Sequence, residues 1–435
     1  MSPIPLASVG GPRSRRVKAL AVLCSVALLS GCASASSGST GGSDDPVKLK
    51  LGNIMPFTGD LSTFGPPLDA AAKLAATYIN DTLKKAGLAD KYSVELVESQ
   101  DDQSANAPAV EAATKLTTVD GVDGIIGTLG SGSTIAVAQA VTIPQGVMQV
   151  TPTASSPKIG QLKSDHQVFQ MGPNDNFQAR ELVASVAKAY GSDAKVNVGW
   201  RNDDYGNPVS DAFMKLWKEQ GGTVGEKVSW DPTSATFDEA ARKLASGSPQ
   251  AWVIFDFPTT FEKMGAALVR TGSWDPTKTF VSAEFRDQTA LQKIGDKAIN
   301  GLRGVAPAAG STDLQDTFDA YFKKMEPKQT PTGYERFAFD AVVTVFLAAL
   351  KAHSTKGPEI GAQMSAVTNA PGKEYDYRKL SDAITAILAG QDIDYQGISG
   401  PIDLDDTGSA AAARYDVWTS AGDGTITTLE TAEIK

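Results

Sequence analysis

Two residue types that often carry chemistry are almost missing from this chain. Of its 435 residues only Cys24 and Cys32 are cysteine and only His166 and His353 are histidine. So few cysteines exclude a disulfide framework and a thiolate metal site, and the fold must hold by packing alone. Both histidines stand in polar surroundings and read as solvated side chains. No Gly-x-Ser-x-Gly elbow occurs, so the nucleophile-and-base pair of a hydrolase lacks its parts. The chain is therefore read as a non-enzyme that needs no cofactor and no metal. Basic residues are also short, 40 against 50 acidic, and a net charge of −10 repels nucleic acid and anionic headgroups. Beyond the first 32 residues no apolar run is long enough to cross a bilayer.

The amino-terminal stretch is basic and then apolar. Arg13, Arg15, Arg16 and Lys18 precede the run from Ala21 to Leu29, which has the charge order and length of an export signal and is too short for a spanning helix. Leu29-Ser30-Gly31-Cys32 resembles the bacterial lipobox. That resemblance implies removal of residues 1–31 and acylation of Cys32, with the protein held on the outer face of the bacterial cytoplasmic membrane. Arg15-Arg16 leaves general secretory and twin-arginine export both open. Residues 32–46 are rich in Ser, Gly and Ala and read as a flexible tether. The remaining ~400 residues are too many for one compact core and suit two lobes.

From Val47 onward, strand-like and helix-like periods alternate. Strands are expected at 47–54, 92–97, 124–127 and 147–150, with helices at 66–83, 107–118 and 133–143 between them. A second series follows Gly172-Pro173, with strands at 196–200, 223–228 and 252–255 and helices at 176–190, 209–219, 237–244 and 261–269. Such alternation predicts an α/β fold of two doubly wound parallel-sheet lobes. The chain then turns helical (314–325, 334–350, 380–388) before short strands from Gly400. That order predicts a return to the first lobe, hence three crossovers and a hinge above a cleft. The expected division is 47–170 first lobe, 171–304 second lobe, 305–399 first lobe again, and 400–435 mainly second lobe.

Two strand ends attract attention as ligand sites, because parallel sheets bind at their carboxyl edges. Gly127-Thr128-Leu129-Gly130-Ser131-Gly132-Ser133-Thr134 places hydroxyls and free N–H groups where a strand gives way to a helix. It is not a nucleotide loop, since Ile135 stands where a third glycine would and no lysine follows. Val150-Thr151-Pro152-Thr153-Ala154-Ser155-Ser156-Pro157 is a second such edge. Asp403, Asp405 and Gly408 hint at a calcium loop, but Arg414 occupies the closing position and the segment reads as a turn.

The spacing of these segments resembles type I periplasmic binding proteins, and in particular the leucine/isoleucine/valine-binding branch of ABC-transporter receptors, over about residues 47–419. The resemblance implies that Ser131 and Ser155 offer hydroxyls, and Thr153 and Ala154 backbone groups, to the α-carboxylate of an amino acid. Phe57-Thr58-Gly59 with Phe64 is similar to the family's first loop, and Asp204-Tyr205-Gly206 to its closing Tyr-Gly, making Phe64 and Tyr205 lid residues. Val281-Ser282-Ala283-Glu284 resembles the strand end whose glutamate takes the ligand ammonium. Pro331-Thr332-Gly333-Tyr334 is similar to a helix start that adds another aromatic. Phe255-Asp256-Phe257-Pro258-Thr259 occupies the place of one more ligand-facing aromatic, and no role is given to Asp256 or Phe257. Two departures stand out: Gly130 lies near where the family has a disulfide cysteine, and Phe64 where it has tyrosine.

The implied protein is a monomeric lipid-anchored receptor that captures an amino acid by hinge closure and presents it to an ABC permease. Rival readings are a receptor for an amide, urea or aromatic acid, a ligand-sensing lipoprotein without transport, and an exported hydrolase. Glu284 separates the first pair, because only a ligand with an ammonium needs it.

Overall fold

The first strand, β1 (Val47–Met55), begins with buried Val47 and Leu49 either side of exposed Lys48, then is buried throughout from Leu51. That is the pattern of a central parallel strand covered on both faces. The computed structural model describes residues 46–400 and 402–434, all within one compact unit. The expected leader and Cys32 lie outside the described residues.

Around β1 the first sheet is built from β2 (Tyr92–Leu96), β3 (Gln100–Asp101), β4 (Gly124–Ile126), β5 (Met148–Thr151) and β6 (Val168–Gln170). Its order is β2-β1-β4-β5-β6, all parallel, with β3 beside the far end of β1. The helix Gly65–Lys85 follows β1. Pro66 and Pro67 fall in its first turn, where no backbone N–H is needed. Gly65 is required there, because a Cβ would sit 2.0 Å from the carbonyl oxygen of Pro56. Leu68, Ala71, Ala72, Ala75, Ile79 and Leu83 form its buried stripe, packed on the helix Glu335–Ala352. That partner is apolar almost all round and correspondingly buried. His353 ends it in the left-handed conformation, φ 50°, so this half-buried histidine is a helix terminator, while His166 is exposed.

The second sheet contains β7 (Lys195–Arg201), β8 (Thr223–Trp230), β9 (Ala251–Phe255), β10 (Thr279–Val281) and β11 (Arg303–Pro307). A separate parallel pair, β12 (Lys373–Tyr375) and β13 (Ile393–Tyr395), precedes β14 (Ala413–Ser420) and β15 (Ile426–Ile434). The order is β15-β14-β11-β10-β9-β7-β8, parallel from β11 to β8 and antiparallel at β14 and β15. Two parallel sheets with helices on their faces make the two doubly wound lobes that the alternation predicts. No helix among the described residues is long and apolar enough to cross a membrane.

The chain leaves the first sheet after Gln170 and re-enters by helices that pack on Gly65–Lys85. The return comes after Pro307, later than the boundary expected between 304 and 305, because Val305, Ala306 and Pro307 are still paired with β14. The third crossing is also later than Gly400. Gly408 accepts from the Gln170 N–H (2.9 Å) and Ser409 donates to Gln170 Oε1 (2.7 Å), tying this stretch to the first lobe until β14 begins. β6, β12 and β13 are absent from the periodicity reading, since each is three residues long and carries too few repeats to register.

Candidate functional site

Beyond β4 the chain turns at Gly127, where φ is 127° and a Cβ would lie 2.2 Å from the carbonyl of Ile54. Most hydroxyls of this loop brace it internally. Thr128 Oγ1 lies 2.6 Å from Ser133 Oγ and 3.0 Å from Thr134 Oγ1, and Thr151 Oγ1 donates to the Thr128 carbonyl at 2.6 Å. Ser131 is the exception and faces a cavity. Its Oγ accepts from the Ser156 N–H at 3.2 Å, joining the two strand ends.

At the second edge, Thr153, Ala154 and Ser155 line the same cavity. The expectation that Ala154 offers free backbone groups needs correction. Its N–H donates to Thr151 Oγ1 (3.0 Å) and its carbonyl accepts from Gln170 Nε2 (2.8 Å), so it contributes surface, with its polar groups taken inside the lobe. The Ser155 N–H has no acceptor among the described residues.

Opposite stand side chains from the second sheet. Glu284 sits on a short turn after β10, and Tyr205 caps the helix Gly206–Glu219. Tyr205 Oη donates to Glu284 Oε2 at 2.8 Å. The turn is held by Gln178, whose Oε1 accepts from the Ala283 N–H (2.7 Å) while its Nε2 donates to Asp175 Oδ1 (2.9 Å). Burial raises the Glu284 carboxyl above its ordinary range, against the hydrogen bond from Tyr205 and the positive charge of Arg201. Asp175, fully buried behind it, is pushed well up by burial and then by Glu284 itself. Tyr205 and Tyr334 are raised by burial and by the same carboxylate.

The eight residues expected at the site, Phe64, Ser131, Thr153, Ala154, Ser155, Tyr205, Glu284 and Tyr334, line one cavity between the lobes. Phe64 and Tyr334 meet edge to face, centroids 5.5 Å apart, on the first lobe. Leu61, Leu129 and Phe257 complete the wall. The aromatic expected from 255–259 is Phe257, which stacks on Tyr205 at 5.1 Å. Leu61 gave no signal beyond its place in the first loop. No lysine, arginine or histidine lines the cavity. Its character is thus hydroxyls and an N–H at one pole, a carboxyl at the other, and apolar rings between. Among the described residues no cluster of three or more His, Asp or Glu is placed to hold a metal ion.

Solved structures share this architecture. A leucine-binding protein from Thermotoga maritima is 21% identical, with 89% of this chain and 99% of that one covered at a TM-score of 0.72. A branched-chain amino acid transporter substrate-binding protein from Streptococcus pneumoniae, solved with isoleucine, is 19% identical over 89% and 99% of the two chains, TM-score 0.69. A solute-binding protein of an ABC transporter from R. palustris, solved with benzoate, is 18% identical over 89% and 97%, TM-score 0.69. None of the curated proteins matches. The family model described as periplasmic binding protein matches residues 48–379, most of the folded chain, and with two parallel-sheet lobes around a shared cavity it places this protein in that extracytoplasmic family.

Proposed function

We propose that this protein is the solute receptor of an ABC importer and that its ligand is an amino acid, branched-chain or closely related. The observation that carries the ligand class is Glu284, a carboxyl enclosed between lobes, backed by a second buried carboxyl and faced by no cation in the cavity wall. An ammonium supplies the missing partner, and the ligand's carboxylate meets Ser131 Oγ and the Ser155 hydroxyl and N–H. An unpaired charge held between the lobes against apolar rings is costly, which favours a ligand carrying both poles. Leu61, Phe64, Leu129 and Phe257 then cover an apolar side chain. The crossovers near Met171, Ala308 and Ala411 act as the hinge, and the closed form is what the permease recognises. Cys32 is the proposed lipid anchor on the outer face of the cytoplasmic membrane, and the receptor works as a monomer.

A second reading, a receptor for an aromatic acid, amide or urea, draws on the aromatic walls and on the raised carboxyl of Glu284, which when protonated can donate to a neutral group. A thermal-shift screen of the protein against all amino acids, short amides, urea and benzoates separates the two. Ligand at a hundred times its Kd adds about 2.7 kcal/mol of stability. A shift with amino acids alone supports the first reading; a shift with benzoates or amides alone replaces it with the second.

A further inference from the structure

We infer that Arg201 is a positioning residue that couples closure of the lobes to the aromatic wall of the cavity, through Asp60 on one side and Phe257 on the other; its purpose rests on the receptor reading above. Arg201 ends β7, and its side chain is only 6% exposed. Two of its partners belong to its own lobe. Asp203 receives its Nε at 2.5 Å, and Asp256, fully buried, stands 3.8 Å from its Nη1. Both carboxyl groups are fixed locally, Asp203 by the N–H groups of Tyr205 (3.1 Å) and Gly206 (2.8 Å), and Asp256 by that of Phe257 (2.9 Å); Asp203 supplies the charge, since burial raises Asp256 to about 8.

The third partner comes from the other lobe. Asp60, in the loop after β1, accepts from Arg201 Nη2 at 3.2 Å, and its carbonyl accepts from Thr259 Oγ1 at 2.8 Å. Parting of the lobes removes these two bonds and leaves Asp203 and Asp256 in place. The cation already has partners in its own lobe, so closure adds a third, and the charge it brings in, Asp60, stays 37% exposed. A second interlobe pair, Lys158 with Asp204 at 2.8 Å, has both side chains close to half exposed and is the more strongly screened.

The guanidinium lies over the Phe257 ring, 3.8 Å from its centroid. The Phe257 ring stacks on Tyr205, and Tyr205 donates to Glu284. Arg201 therefore fixes the plane of one cavity wall while reaching across the cleft, a double task that needs a planar, stacking cation with several donors. Lysine does not replace it.

The test reads the distance between lobes by pulsed electron resonance. Labels go on Thr77→Cys and Lys215→Cys, both exposed and one on each lobe, with Cys24 and Cys32 replaced by serine. At low ionic strength the ligand-free parent should show a closed component. Asp60→Asn should lower the closed-to-open ratio about fivefold, Asp60→Glu should restore part of it, and added salt should act on the parent more than on Asp60→Asn. A purely structural role for the pair would instead move the melting temperature and leave the distances alone. If Asp60→Asn misfolds, Thr259→Val, which removes the other bond to Asp60, repeats the measurement. An unchanged ratio in these variants, or a parent with no salt-sensitive closed component, overturns the inference. With isoleucine as probe, Asp60→Asn should speed release and leave association unchanged. A distance effect with no amino acid binding keeps the coupling and rejects the amino acid ligand.

Discussion

Replacing Glu284 by glutamine or alanine should move ligand affinity and ligand-free stability in opposite directions. The carboxyl faces the cavity, accepts hydrogen bonds from Tyr205 Oη at 2.8 Å and from the Ser282 side chain, and has the buried Asp175 behind it. Toward an amino acid, truncation to alanine leaves an ammonium facing Tyr205 Oη with no carboxylate. Losing one partner of a buried charged pair costs about 2–5 kcal/mol, which is roughly 30- to several-thousand-fold in Kd. Glutamine keeps an acceptor for Tyr205 and a dipole for the ammonium, so its loss should be the smaller. Stability runs the other way. The Glu284 carboxyl is raised in the folded state, so the folded protein holds a proton that the unfolded chain releases, and stability from this group is lost as pH rises through the raised value. Above that value the wild type carries a buried charge that Glu284→Gln lacks, and the ligand-free variant should melt higher. Below the ordinary carboxylate range the difference should vanish. Calorimetric titration with isoleucine and melting curves at pH 4 and pH 8 measure both effects. Amino acid affinity within about threefold of wild type in Glu284→Ala would refute the assignment, and a glutamine variant less stable at pH 8 than at pH 4, relative to wild type, would refute the electrostatic argument.

Ser131→Ala should weaken amino acid binding by about 1–3 kcal/mol, as it removes a hydroxyl facing the cavity and the acceptor of the Ser156 N–H, and calorimetry reads it directly. Gly127→Ala should destabilise the first lobe by about 1–3 kcal/mol or more, since φ there is 127° and the new Cβ would approach the Ile54 carbonyl at 2.2 Å; urea unfolding measures it. Asp256, pushed up to about 8 by burial against the pull of Arg201, is a second acid protonated in the folded state, so wild-type stability should fall from this group between about pH 4 and 8. Asp256→Asn should flatten that slope in denaturant melts at pH 5 and 8, and an unchanged slope would place the ionisation elsewhere.

The site was legible to an uneven degree, for identifiable reasons. Strand ends at 127–134 and 150–157 show themselves by glycines and hydroxyls after apolar runs, and Glu284, Tyr205 and Tyr334 by family spacing. Which hydroxyl of Ser131, Ser133 and Thr134 faces outward was not legible, because it depends on Thr128 and Thr151 claiming the others. Nor was the use of the Ala154 N–H, since its acceptor, the Thr151 side chain, lies three residues back across a turn. Phe257 was located only as part of a segment, because a register error of one residue exchanges it with Asp256, which is fully buried.

Local periodicity by itself determined the two lobes, for alternating periods of two and 3.6 admit few arrangements other than parallel sheets flanked by helices. The helical stretch after the second series also pointed to a return to the first lobe, and the structure supplies the partner, packing the apolar helix Glu335–Ala352 on Gly65–Lys85. Tertiary structure alone decided where the crossings fall and how Arg201 meets Asp60, a pair 141 positions apart. Such a contact has no period and no local propensity. It exists because two separately folded sheets bring their loops together, and only their packing sets the distance between a guanidinium and a carboxylate across the cleft.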